Sequence, residues 1–143
     1  MRWVSIVALA LILAACATVQ PLPVKTGDIC FGCREPIVEV RLATEMIDAG
    51  GRAYKFECPG CMAKYLAGHP EERPKAIFVT DFAGGKMFRA ESANFVPIVT
   101  DANRGETDYA AFRTAKEAAA FAAEHKAPVP VTWAALMKTA AGG

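Results

Sequence analysis

What the sequence most lacks is a surplus of charge. Its 143 residues carry 16 basic and 15 acidic side chains, so nothing in it provides the positive footprint that tracks a phosphate backbone, and a nucleic-acid partner is excluded. An apolar run of bilayer-crossing length is also missing. The run that opens at Val4 ends at about residue 15, short of the roughly 20 residues a membrane-spanning helix needs. There is no Gly-rich phosphate loop and no Ser/His/Asp set, so hydrolytic or phosphoryl-transfer catalysis is not expected. Histidine is scarce: His69 precedes Pro70 as a solvated helix end, and His125 falls in the last turn of a helix, where a cation suits the dipole. Disorder is excluded as well, because 53% of the residues are hydrophobic and 22% charged. What remains to explain is five cysteines.

The first cysteine belongs to an export signal. Arg2 followed by an apolar stretch reads as a secretory leader. Leu13-Ala14-Ala15-Cys16 resembles a bacterial lipobox, in which the cysteine is diacylated and becomes the new N-terminus. The plainer alternative is an ordinary signal peptide with a chance cysteine. The expected organisation is a lipoprotein signal over residues 1–15 and a lipidated flexible tether over 16–27, the latter carrying two prolines and no periodicity. Ala17 after the cysteine, in place of Asp, leans toward the outer membrane, on the periplasmic face of the envelope. Cleavage would leave 128 residues and remove Arg2, so basic and acidic side chains would balance at 15 each.

The rest reads as an α+β chain. Residues 37–47 alternate and are rich in Val, Ile and Thr, which predicts a strand. Asp48-Ala49-Gly50-Gly51 predicts a hairpin turn into a strand over 52–56. Cys58-Pro59-Gly60-Cys61 opens a short helix through Leu66, with Pro59 suited to its first turn. Residues 76–80 predict a buried strand and 86–89 a further extended stretch. Sliding the sequence by 56 positions matches Phe56 with Phe112, Tyr65 with Phe121 and His69 with His125. A chance alignment of alanine-rich helices is the alternative to duplication. The reading is two small ββαβ repeats with antiparallel strands and short helices, over 28–84 and 85–143. In the second, strands at 95–100 and 107–112 precede a helix from 115 to about 125, capped by Thr114 and Glu117. Residues 129–131 would be a last strand, and Thr132 would cap a short helix through Lys138. In the same register Cys58 meets Thr114 and Cys61 meets Glu117, so one half has cysteines where the other has capping residues.

The four remaining cysteines form two C-x-x-C pairs, Cys30-Phe31-Gly32-Cys33 and Cys58-Pro59-Gly60-Cys61. The two-residue gap lets both sulfurs turn to one point, and two such pairs can close a four-thiolate metal site. Cys30, Cys33, Cys58 and Cys61 are therefore the candidate ligands, with Met62 as a possible addition and core filling as its ordinary use. Soft thiolates favour Cu(I), and zinc is the alternative. A helix N-terminus also lowers a cysteine's pKa, so Cys58 and Cys61 read alternatively as a redox dithiol. Two structural disulfides are a third possibility.

Lipobox, Cys30-Phe31-Gly32-Cys33, the Gly50-Gly51 hairpin, Cys61-Met62-Ala63-Lys64-Tyr65-Leu66, Val79-Thr80-Asp81-Phe82, Ala111-Phe112 and Val131-Thr132-Trp133 stand in this order. In this the chain resembles the NosL family of nitrous-oxide reductase accessory lipoproteins, over about residues 28–138. The resemblance implies two ββαβ repeats and a Cu(I) metallochaperone that delivers copper to a recipient periplasmic copper enzyme. Two departures stand out. The family usually completes its first motif as Cys-Gly-Met, and here Arg34 and Glu35 follow Cys33. Its Thr-Pro-Met-Gly segment is replaced by Thr100-Asp101-Ala102-Asn103-Arg104-Gly105, which has no methionine. The second C-x-x-C is the compensation, giving an all-cysteine set.

Overall fold

The structure is a computed structural model that describes residues 18–143. The expected signal peptide, lipobox and Cys16 anchor lie outside the described residues. The chain is α+β, with antiparallel strands and short helices. Its elements are β1 (Thr44–Ile47), β2 (Ala53–Phe56), α1 (Pro59–Gly68), β3 (Ala76–Thr80) and β4 (Met87–Arg89), then β5 (Asn94–Asp101), β6 (Glu106–Phe112), α2 (Ala115–Glu124) and α3 (Trp133–Ala140). The first sheet runs β2-β1-β3-β4, and β5 and β6 form a separate hairpin.

β1 is an inner strand, and all four of its residues are buried. The β1–β2 hairpin closes as its sequence predicts. Gly51 takes φ +87°, a left-handed conformation that costs glycine little, and Asp48 accepts the Arg52 amide at 2.8 Å. α1 buries Pro59, Met62, Ala63 and Leu66, one stripe at helical spacing. Its buried face is held from the far end of the chain by α3, whose Leu136 is 2% exposed. Trp133 and Met137 of α3 touch both the apolar cluster under α1 and the one that joins β3 to β5.

The two halves share details of construction. In the first, β1 sits between β2 and β3; in the second, β5 pairs with β6 on one side and bridges Val131 on the other, through Phe95 and antiparallel. Cys58 is the N-cap of α1 and Thr114 the N-cap of α2, 56 positions apart. Thr114 and Glu117 complete a reciprocal capping box. Both helices end on a histidine stacked on the aromatic ring four residues earlier: Tyr65 with His69 at 4.2 Å, and Phe121 with His125 at 4.0 Å.

Several expectations are corrected. Only residues 44–47 of the predicted 37–47 strand are strand. Residues 39–43 turn back on themselves through Leu42 N–H to Glu39 C=O and Ala43 N–H to Val40 C=O, and Arg41 pairs with Glu39 within the turn. Val38 is left 77% exposed, so its place in the alternation was not a buried one. β4, on the far side of the expected 84/85 boundary, pairs with β3 and lies in the first sheet. The expected last strand at 129–131 is a single bridge at Val131. α3 follows its Thr132 cap but runs to Ala140, and α1 runs to Gly68. Residues 22–24, in the segment read as a tether, contact the folded part. Glu45 accepts the Leu22 amide at 2.8 Å, Pro23 accepts from Lys55 Nζ at 2.9 Å, and Val24 packs against the core.

A candidate metal centre of three cysteines and a glutamate

The first C-x-x-C motif lies on a tight loop. Ile29 and Pro36 bridge, Cys30 N–H donates to Glu35 C=O at 2.9 Å, and Arg34 N–H donates to Cys30 C=O at 3.0 Å. Arg34 turns the corner at φ +68°, in the left-handed region uncommon for a side chain of its kind. The loop is pinned to β2 by Phe31 N–H to Lys55 C=O at 2.7 Å and by the Lys55–Asp28 ion pair at 2.7 Å. Phe31 packs its ring against Tyr54, Phe56 and Tyr65. Cys30 is thereby fully buried, while Cys33 stays exposed at the outer end of the loop.

The second motif opens α1. Pro59 follows the cap, where an amide would have no helical partner. Cys61 is at the third helical position and faces the loop. Gly32 makes room for it: a Cβ there would lie 2.9 Å from Cys61 Sγ and 3.3 Å from the Phe56 ring. The first-turn amide of Gly60 is capped from the other half of the chain by Asp108 Oδ1 on β6, at 3.0 Å. A Cβ on Gly60 would meet that carboxylate at 2.5 Å, so glycine is what lets it approach.

Cys30, Cys33, Glu57 and Cys61 come together, with all four donor atoms within 4.8 Å of one another. Cys30 Sγ and Cys61 Sγ are 3.5 Å apart, and Cys33 Sγ donates to Glu57 Oε1 at 3.3 Å. Thiolates at about 2.3 Å from a tetrahedral ion stand about 3.8 Å from each other, so modest adjustment would bring these donors around one ion. The donor set is compatible with a bound metal ion. It shares Cys30, Cys33 and Cys61 with the expected four-cysteine set, and Glu57 completes it.

Cys58 stands beside this group, turned toward Cys61 and Asp108. Its thiol is pushed up, first by its hydrogen bond to Cys61, then by burial, then by the Asp108 carboxylate. Of the two thiols in the expected dithiol, Cys58 is thus not the acidic one. Asp108 already takes the amide that would have stabilised a thiolate there and sets a negative charge alongside. The acidic thiol is Cys61, drawn down to about 6 by the hydrogen bond from Cys58 first, then those from Cys30 and Cys33, against burial. Cys33 is pushed up to about 12, by lost solvation first, with Cys30 and Glu57 acting in the same direction.

Met62 is fully buried with Cys30, Phe56 and Leu66, a position that packing alone accounts for. Neither histidine belongs to the donor group. Sequence reasoning missed Glu57 and Asp108. The signal for Glu57 was its place directly before the second motif; Asp108, 48 residues from Gly60, left no local signal. Among the described residues no helix is long and apolar enough to cross a membrane. Comparison with protein-family models, curated proteins and solved structures finds no match to this chain.

Proposed function

We propose that this protein carries a metal ion as cargo on Cys30, Cys33 and Cys61, with Glu57 beside them, and that the ion is Cu(I). In this reading it is a lipoprotein anchored through Cys16 to the membrane on the periplasmic face of the envelope. It hands copper to a recipient copper enzyme such as nitrous-oxide reductase. The observation that carries the reading is the gathering of three sulfurs and one carboxylate within 4.8 Å. Soft sulfur donors favour Cu(I) over harder ions. The order of exposure supports transfer, since Cys30 is buried and Cys33 open. An incoming sulfur or imidazole would displace the outer thiolate first and the buried one last. The family resemblance supports the same role.

Zinc is the second reading, favoured by Glu57, because a carboxylate oxygen is an ordinary zinc ligand and a poor one for Cu(I). One anaerobic experiment separates the two. The reduced full chain in detergent is titrated with Cu(I) and with Zn(II), each against a chromophoric competitor. The expected result is one tightly held Cu(I) per chain, lost in Cys61→Ser and kept in Cys58→Ser. Glu57→Gln should leave Cu(I) affinity within a few-fold. Tight Zn(II) binding that collapses in Glu57→Gln establishes the second reading, and no stoichiometric binding of either ion overturns both.

A further inference from the structure

The thiols of the centre have different neighbours. Cys33 donates to Glu57, Cys58 is turned to Asp108 and Cys61, and all four cysteines are free. Cys30 and Cys61 have each other, Sγ to Sγ at 3.5 Å, although they come from different motifs and stand 31 residues apart in the chain. Cys30 is held by a backbone loop fixed to β2, and Cys61 by the first turn of a capped helix. A disulfide brings its sulfurs to about 2.05 Å, so this pair stands roughly 1.5 Å from bonding distance. Gly32 leaves the space in which Cys61 Sγ moves.

We propose that Cys30 and Cys61 form a thiol–disulfide couple across the two motifs, and that its oxidation by a small-molecule or protein disulfide empties the metal centre. The release half rests on the metal-binding reading above; the couple itself does not. The partly exposed Cys61 thiol attacks one sulfur of the oxidant. The oxidant's S–S bond breaks, one half leaves as a thiol with the Cys61 proton, and the other stays bonded to Cys61 as a mixed disulfide. Cys30 Sγ then attacks Cys61 Sγ and expels the second half as a thiol with the Cys30 proton. Two protein thiols are oxidised and one disulfide is reduced to two thiols. The new bond removes two of the three sulfurs from the donor set, leaving Cys33 and Glu57, too few to hold an ion.

The test begins with the reduced, metal-free full chain in detergent, treated with oxidised glutathione, alkylated and mapped by non-reducing mass spectrometry. The expected product links Cys30 to Cys61, with Cys33 and Cys58 recovered alkylated. A dominant Cys58–Cys61 or Cys30–Cys33 link, or no intramolecular link, overturns the couple. Cys58→Ser should leave the link intact. Cys30→Ser and Cys61→Ser should each abolish it, and the second covers the case in which loss of the buried Cys30 thiol prevents folding. The same oxidation of Cu(I)-loaded protein should release the ion, with rebinding after dithiothreitol; retention of the ion by the linked form overturns the release. The mapping uses no metal, so a reduced protein that binds no ion sinks the metal reading while the couple stands on its own result.

Discussion

Replacing Gly32 with alanine tests how the centre is closed. Its backbone is not in the left-handed region, so alanine meets no conformational penalty there and the added methyl is the whole perturbation. That methyl would lie 2.9 Å from Cys61 Sγ and 3.3 Å from the Phe56 ring, inside ordinary contact distance for both. Phe56 is fully buried and cannot yield, so either Cys61 rotates or the 30–33 loop lifts. Gly32 is exposed, so the outer end of the loop can lift into solvent while Phe31 stays pinned to Lys55. Overpacking of this kind costs about 1–3 kcal/mol. In the metal-free protein the loop relieves most of it, so thermal stability should fall by no more than the lower end of that range. With an ion bound the loop must close again, and the cost reappears as a loss of metal affinity of about 5- to 150-fold. A competition titration of wild type and Gly32→Ala, beside thermal unfolding of both metal-free proteins, reads the two quantities apart. Gly68→Ala, at a helical glycine whose added Cβ meets nothing within 4 Å, is the control. It should stabilise by up to about 1 kcal/mol and leave affinity alone. Unchanged affinity in Gly32→Ala would refute the claim that the loop and Cys61 close on one ion.

Three further outcomes follow from the same geometry. Asp108→Ala removes the acceptor of the Gly60 amide and should cost about 1 kcal/mol of stability in thermal unfolding. It should also make Cys58 easier to alkylate, since one of the groups holding its thiol up is gone. Iodoacetamide labelling of the metal-free protein, mapped by peptide across pH, should show Cys61 reacting with a midpoint near 6 and Cys33 resisting beyond pH 9. The sign follows from the depressed Cys61 value: its thiolate persists on going down to pH 7 and is lost as pH falls through 6. Thr114→Ala breaks the capping box of α2 and should cost about 1 kcal/mol in thermal unfolding, with metal affinity unchanged.

Local chemistry was legible in the sequence where it depends on neighbours along the chain. The Gly51 hairpin, the Thr114 capping box, the Thr132 cap and the helix starting at Pro59 are all set by adjacent residues. The register of 56 was legible because both helices begin at the same aligned position and end on the same aromatic–histidine stack. The spacing of the cysteines identified the motifs but not their orientation. Cys58 has extended φ and ψ while Cys61 sits in helix, so their sulfurs leave the backbone in different directions. Which of them faces the first loop depends on how that loop packs against α1, and that is a tertiary fact. The strand expected at 37–47 failed for a similar reason, because alternation marks a strand only if a sheet edge is there to receive it, and Glu39 and Arg41 satisfied each other locally instead. The contact of Leu22 with the folded part was invisible because it depends on Glu45, a carboxyl on the inner strand β1 whose burial pushes its pKa up and whose oxygen holds the Leu22 amide.

The cap that Asp108 places on Gly60 also has a consequence in time. A chain emerges from its N-terminus, so both C-x-x-C motifs are made before the residue that caps the first turn of α1. Asp108 follows Cys61 by 47 positions, an interval of roughly 2 to 10 s at ordinary rates of synthesis. Through that interval the Gly60 amide lacks its Asp108 acceptor. The arrival of β6 brings the Asp108 carboxylate to the Gly60 amide and beside Cys58. The second half of the chain, which has no cysteine of its own, thus finishes the centre built by the first.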